Sequence, residues 1–162
     1  MDSITIINKK MTDISEGNIH DIEHFTNVWK YAKAIGEAEG LEERTQTVLE
    51  ASALTHDIAC PLCREKYGST VWKYQEIEGM PLAKELLQDT GLSEVEIERA
   101  VYLVGHHHTP DEIDGIDYQI LIEADYIVNA EESGYPEEAA KDFENKYFKT
   151  EKGKELLRSL WK

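Results

Sequence analysis

The sequence predicts an all-α fold, a single helical-bundle domain of six or more helices. Three observations predict it. Apolar residues recur at spacings of three and four along most of the chain. The four Pro and ten Gly fall mostly between those periodic stretches, where helix breakers belong. Alternation of the kind a strand needs occurs only in the short run Ile4 to Ile7.

Residues 1–17 read as an N-terminal arm, loosely attached, with that β-like run followed by polar residues. The helical pattern opens at Asn18. Ile22, Phe25, Val28, Trp29, Ala32 and Ile35 mark one face of a first helix that stops near Gly40. A second helix starts near Glu42, carries Val48, Leu49, Ala51, Ala53 and Leu54, and is expected to end at Pro61. Residues 61–75 read as a loop around Gly68-Ser69-Thr70, and a third helix as about Ile77 to Asp89. Ser93 with Glu96 three residues on has the spacing of a capping box and opens a fourth helix. Residues 110–115 form a polar turn, and 116–132 form a fifth helix with Ile120, Leu121, Ala124, Ile127 and Val128 inward. The core is therefore 18–132. Residues 133–162, with a helix begun by Pro136 and another over Lys154 to Trp161, are expected to pack back on it.

The chain has 162 residues, 17 Lys+Arg against 33 Asp+Glu, and a net charge of −16. That length suffices for one real core. The charge argues against a nucleic-acid polymer as partner, which needs clustered cations, and against an anionic membrane surface. It leaves room for a small anionic substrate, because a bound cation reverses the local field. No apolar run approaches the ~20 residues of a membrane span. Met1 to Lys10 has no secretory pattern. The two cysteines, Cys60 and Cys63, are too few for a disulfide scaffold and read as half-buried thiols beside a turn rather than a redox couple or half a zinc site. The chain therefore reads as cytoplasmic.

The chemistry concentrates in six histidines, His20, His24, His56, His106, His107 and His108. His20 and His24 lie four apart and share a helix face. His56-Asp57 closes the apolar second helix. Asp125 sits inside the apolar fifth, where a carboxylate is costly to bury unless paired or bound to a cation. Singly these signals are weak, since a helix His is more often a surface or satisfied core residue. In order they are specific: His on the first helix, His-Asp closing the second, a His cluster closing the fourth, Asp inside the fifth. Imidazoles with carboxylates suit a divalent ion such as Mn, Fe, Co, Ni, Zn or Mg.

On His24-Phe-Thr-Asn-Val28, Leu54-Thr-His-Asp-Ile58, Val104-Gly-His-His-His-Thr109 and Glu123-Ala-Asp-Tyr-Ile127 the chain resembles the HD superfamily of metal-dependent phosphohydrolases, over about residues 20–130. The stretch Lys73-Tyr-Gln-Glu-Ile-Glu-Gly-Met-Pro-Leu-Ala83 also resembles a small bacterial branch of that superfamily. The resemblance implies an HD-type helical core and a metal held by His24, His56, Asp57 and Asp125. It also implies cleavage of a small molecule's phosphate ester, a nucleotide, by a metal-activated water. Superfamily members with two ions use further histidines. Here His107 and His108 stand in that place, as ligands of a second ion or donors to the phosphate, with His20 as a further candidate. Asp57 is then able to bridge two ions.

The chain also departs from the family. Where the HD hydrolases of dinucleoside tetraphosphates have a His before a Gly, this chain has Glu78 before Gly79, a carboxylate still able to ligate or to activate water. Thr109-Pro-Asp replaces the Gly-Tyr-Pro signature of the class that opens cyclic dinucleotides. Cys60 stands where some single-metal HD nucleotidases place an activating Glu. Arg64, Lys66 and Lys73 in the 61–75 loop are the candidate contacts to substrate phosphate, with Tyr67, Trp72 and Tyr74 available to stack on a base. The expected catalytic groups are thus Asp57, His107, His108 and Glu78. The rival readings are a regulatory HD module that binds metal and nucleotide without turnover, and a di-iron HD oxygenase. A homodimer is compatible with either.

Overall fold

The computed structural model describes residues 1–162. It is an all-α single domain of nine α-helices and one 3-10 turn. The helices are α1 (Ser3–Ile14), α2 (Ile19–Ala38), α3 (Glu43–Thr55), α4 (Cys60–Tyr67), α5 (Trp72–Leu86), α6 (Glu94–His106), α7 (Ile116–Ser133), α8 (Glu137–Tyr147) and α9 (Glu151–Ser159). None is long and apolar enough to cross a membrane.

α7 is the axis. Its residues from Asp117 to Asp125 are all buried, so it has no solvent face over that stretch. α2 and α3 pack on it and on each other, α6 packs on α3 and α5, and α9 closes over α7. The predicted capping box is present: Ser93 N–H donates to Glu96 Oε1 at 2.8 Å and Glu96 N–H to Ser93 Oγ at 3.2 Å. Side chains of Asp2, Asn18 and Thr150 likewise accept from first-turn amides of α1, α2 and α9.

Three expectations change. The run Ile4 to Ile7 is helix, not strand. Asp2 caps it, and Ile7 and Met11, one turn apart, are buried. Ile4, Ile7, Met11 and Ile14 recur at helical spacing, a period that a four-residue window is too short to reveal. Lys10 Nζ also donates to the carbonyls of Leu86 and Gln88 at 2.9 and 2.8 Å, which fastens α1 to the end of α5. Pro61 does not end a helix but sits in the first turn of α4, where its missing N–H costs nothing. The 61–75 stretch is therefore mostly α4, a turn at Gly68 in the left-handed region (φ 65°), and the first turn of α5. Cys60 and Cys63 are buried in α4 rather than half-buried beside a turn.

The ends of α3 and α6 deliver the histidines. The Tyr118 hydroxyl on α7 lies 2.7 and 2.5 Å from the carbonyls of His106 and Thr109, which fixes where α6 stops. Arg99 grips Asp114 and Asp117 through its guanidinium and holds the following turn against the start of α7.

Candidate metal centre

His24 projects from the second turn of α2, His56 and Asp57 follow the last residue of α3, His107 follows α6, and Asp125 faces inward at mid-α7. Their ligating atoms meet. His24 Nε2 lies 3.2 Å from His56 Nε2, 3.1 Å from Asp57 Oδ2 and 3.3 Å from Asp125 Oδ1. His56 Nε2 lies 3.2 and 3.3 Å from the same two oxygens. Ligands held ~2.1 Å from one ion sit about 3.0 Å apart in an octahedron and about 3.4 Å apart in a tetrahedron. These separations are the edges of such a coordination shell.

The imidazoles are oriented for it. His56 Nδ1 lies 2.7 Å from the Ala53 carbonyl, and His107 Nδ1 lies 2.7 Å from the Val104 carbonyl. A carbonyl only accepts, so Nδ1 donates to it and Nε2 points inward, where its lone pair serves an ion once Nε2 is deprotonated. His24 does the same through a carboxylate, with Nδ1 3.0 and 3.1 Å from the two oxygens of Glu132. Two atoms test whether a cation fits. Asp125 Oδ1 and His107 Nε2 are buried and have no hydrogen-bond partner. Orphaned acceptors of this kind carry a large desolvation cost that a cation removes.

Electrostatics agree. Burial works to lower His24, but the Asp125 and Asp57 carboxylates overcome it and push the imidazole up to about 11. Burial likewise lowers His56, and the same two carboxylates push it up to about 10. Burial works to raise both aspartates, and the surrounding imidazoles, His56 foremost, hold them well below the usual carboxylate range. The pocket is thus built to concentrate positive charge beside two ionised carboxylates.

A second group shares Asp57. Its Oδ1 lies 3.4 Å from His107 Nε2, and Asp57, His107 and His108 together bring three donor atoms within reach of one ion. His108 Nε2 lies 3.3 Å from Gln75 Oε1, and the Gln75 amide is fixed by donating to the Thr70 carbonyl. The His108 Nε2 therefore holds the proton and Nδ1 the lone pair. Burial, aided by His107, lowers His108 to about 4, so it is neutral near pH 7. His108, neutral and with its Nε2 proton on Gln75, offers no proton to the centre and fits ligation better than donation to a phosphate.

Other candidates lie elsewhere. His20 has a 76% exposed side chain and stands outside the cluster. Glu78 is not brought to the histidines: Lys66 Nζ lies 2.9 Å and the Tyr67 hydroxyl 3.0 Å from its Oε1. The α5 carboxylate beside the cluster is Glu76, whose buried Oε2 has no partner and whose pKa burial raises against the pull of His107 and His106. Arg64 is tied to both oxygens of Asp21 at 2.8 and 2.7 Å, Lys66 to Glu78, and Lys73 is exposed. Burial pushes the Cys60 thiol up, and the Asp57 charge adds to it, so it is a poor nucleophile. Residues missed from sequence are Glu132 and Gln75. Glu132 carried a signal, since it lies two turns from Asp125 on the same face of α7.

Two cavities reach the cluster. One of about 20 Å³ is lined by Asp21, His24, Asp57 and Pro61, among others. The other, of about 170 Å³, opens on His107, His108 and Asp125.

The HD domain family model matches residues 21–156. The crystal structure of a predicted HD superfamily hydrolase from an uncultured Thermotogales bacterium superposes with a TM-score of 0.66 at 22% identity, covering 98% of this chain and 83% of that one. At that identity the likeness speaks for the fold. No curated protein matches the sequence.

Proposed function

Because the chain belongs to the HD domain family, we propose that it is a metal-dependent hydrolase of phosphate esters, acting on a small phosphorylated molecule, a nucleotide. The observation that carries this reading is Asp57. One of its oxygens faces His24 and His56, and the other faces His107, so a single carboxylate is placed between two ligand groups. That supports two ions, and the imidazoles favour a transition metal over Mg. His24, His56, Asp57 and Asp125 would hold the first ion, with Asp57, His107 and His108 holding the second. Bound there, a divalent ion lowers the pKa of water and polarises phosphoryl oxygens.

The chain's residues supply the rest. Asp57 and Asp125 stay ionised and accept hydrogen bonds from water. Glu132 and the Ala53 and Val104 carbonyls keep three imidazole lone pairs aimed inward. Hydrolysis forms a bond from water oxygen to phosphorus and breaks the ester P–O bond. The water's proton passes to the leaving alkoxide, so inorganic phosphate and an alcohol result. The two buried, unpaired thiols support a reducing compartment, the cytoplasm.

The test is metal content and phosphate release for the untagged protein with added manganese, beside Asp57→Ala and, as control, His20→Ala. Expected are one or two ions and ester turnover, both lost in Asp57→Ala and retained in His20→Ala. Metal bound without phosphate release from any ester overturns the hydrolase reading and favours the regulatory or di-iron one.

A further inference from the structure

The small cavity beside His24 and Asp57 has Ile14, Ile58 and Pro61 among its walls. The same three residues line a larger cavity, of about 570 Å³, to which α1, α4 and α5 all contribute. Ile58 directly follows Asp57 in the chain, so the two cavities abut beside the candidate metal centre. The larger one has the volume of a small-molecule site, ~300–1,000 Å³. Its lining is mostly apolar. Leu62 comes from the first turn of α4, and Leu82 and Leu86 lie four apart on one face of α5. Ile14 is 44% exposed, and Leu62 is half-buried and stands outside the main apolar core. Apolar surface left to water in a cleft is what a ligand's apolar surface covers favourably. The cavity's one cation, Lys10, is turned to the carbonyls of Leu86 and Gln88. Its two carboxylates, Asp13 and Glu85, belong to exposed residues. The α1 wall also lies before residue 21, where the family match begins.

We propose that this cavity holds the alcohol half of the ester whose phosphate sits at the metal ligands, and that it selects an uncharged ring with apolar faces, a nucleobase or the aryl group of another alcohol. The protein then prefers bulky, ring-bearing phosphomonoesters to small alkyl ones. This rests on the phosphohydrolase reading and narrows its substrate class.

The test uses the manganese-loaded full chain and follows phosphate release from two matched pairs, ethyl against 2-phenylethyl phosphate and ribose 5-phosphate against adenosine 5′-monophosphate. Binding of the non-hydrolysable propylphosphonate and 3-phenylpropylphosphonate is measured separately by calorimetry. The ring-bearing member is expected to gain at least about tenfold in kcat/KM in one pair or both, and the phenyl phosphonate to bind at least about tenfold tighter than the propyl one. A gain in the adenosine pair assigns the ring to a nucleobase, and a gain in the phenylethyl pair alone assigns it to an aryl alcohol. Leu62→Ala is expected to shrink the ring preference several-fold, and Leu62→Asp, which sets a charge in the apolar wall, to abolish it, both with manganese stoichiometry kept. No ring preference in turnover or binding overturns the proposal, as does a preference unchanged in both folded variants. No phosphate release, with a phosphonate preference that depends on Leu62, overturns the hydrolase reading and leaves the subsite. No binding of the phenyl phosphonate by the wild type overturns the subsite.

Discussion

Replacing Glu132 by Ala tests whether the centre is pre-organised for a cation or only happens to be polar. Three imidazoles turn Nε2 inward. Two are held by main-chain carbonyls at 2.7 Å, which no side-chain substitution removes. His24 alone depends on a side chain, with Glu132 at 3.0 and 3.1 Å. The Glu132 side chain is 26% exposed, so water competes for the bond and it sits at the low end of the ~1.5–3 kcal/mol range for charge-assisted pairs. Loss of such a partner of a metal-ligating His typically costs about 10–100-fold in metal affinity, or ~1.4–2.7 kcal/mol. Glu132→Ala is thus expected near tenfold, and Glu132→Gln, which keeps an acceptor, at less. Manganese titration by calorimetry with chelator competition reads the affinity, and urea unfolding of the metal-free protein reads stability separately. Affinity of Glu132→Ala within about twofold of wild type would refute the argument that the Nδ1 partner orients His24.

Two further predictions follow from buried charge. The Asp57 and Asp125 carboxylates hold His24 and His56 up, so the pair, whose Nε2 atoms lie 3.2 Å apart, keeps an extra proton at pH 7 in the metal-free protein and must lose it to ligate. Manganese uptake is therefore expected to release protons at pH 7 and to tighten as pH rises; calorimetry in buffers of differing ionisation enthalpy counts them, and release of none would contradict the charge assignment. Gly153 has no room for a side chain, since a Cβ there would stand 1.9 Å from Glu123 Oε1. Glu123 is fully buried and takes hydrogen bonds from Gln119, the Lys149 and Thr150 amides and the Thr150 hydroxyl. Gly153→Ala is expected to displace that carboxylate and cost about 3 kcal/mol in thermal unfolding; an unchanged melting temperature would refute it.

The candidate ligands were legible because each violates its local surroundings. Asp125 interrupts an apolar helix, and His56-Asp57 closes another. Polar residues at core positions need a partner, and a cation was the one partner common to all of them. The groups that aim the ligands were not legible in the same way. Glu132 and Gln75 are ordinary helix residues until α7 is set beside α2 and α5 beside the end of α6. Their roles belong to tertiary geometry, not to local pattern. Only the seven-residue offset from Asp125 marked Glu132.

The expectations that the structure sets apart from the cluster share a cause. Glu78, Arg64 and Lys66 are charges that the sequence offers freely to a phosphate or an ion. In the structure each has been taken by a neighbour: Glu78 by Lys66 and Tyr67, Arg64 by Asp21. A side chain's charge is a property of the residue, but its availability is a property of the fold. Pro61 shows the same for the backbone. A missing N–H breaks a helix interior and costs nothing in a first turn. Which of these applies depends on where the chain has already turned, here at residues 56–59 between α3 and α4. That turn, rather than a long second helix, brings Asp57 round so that its two oxygens face two different sets of histidines.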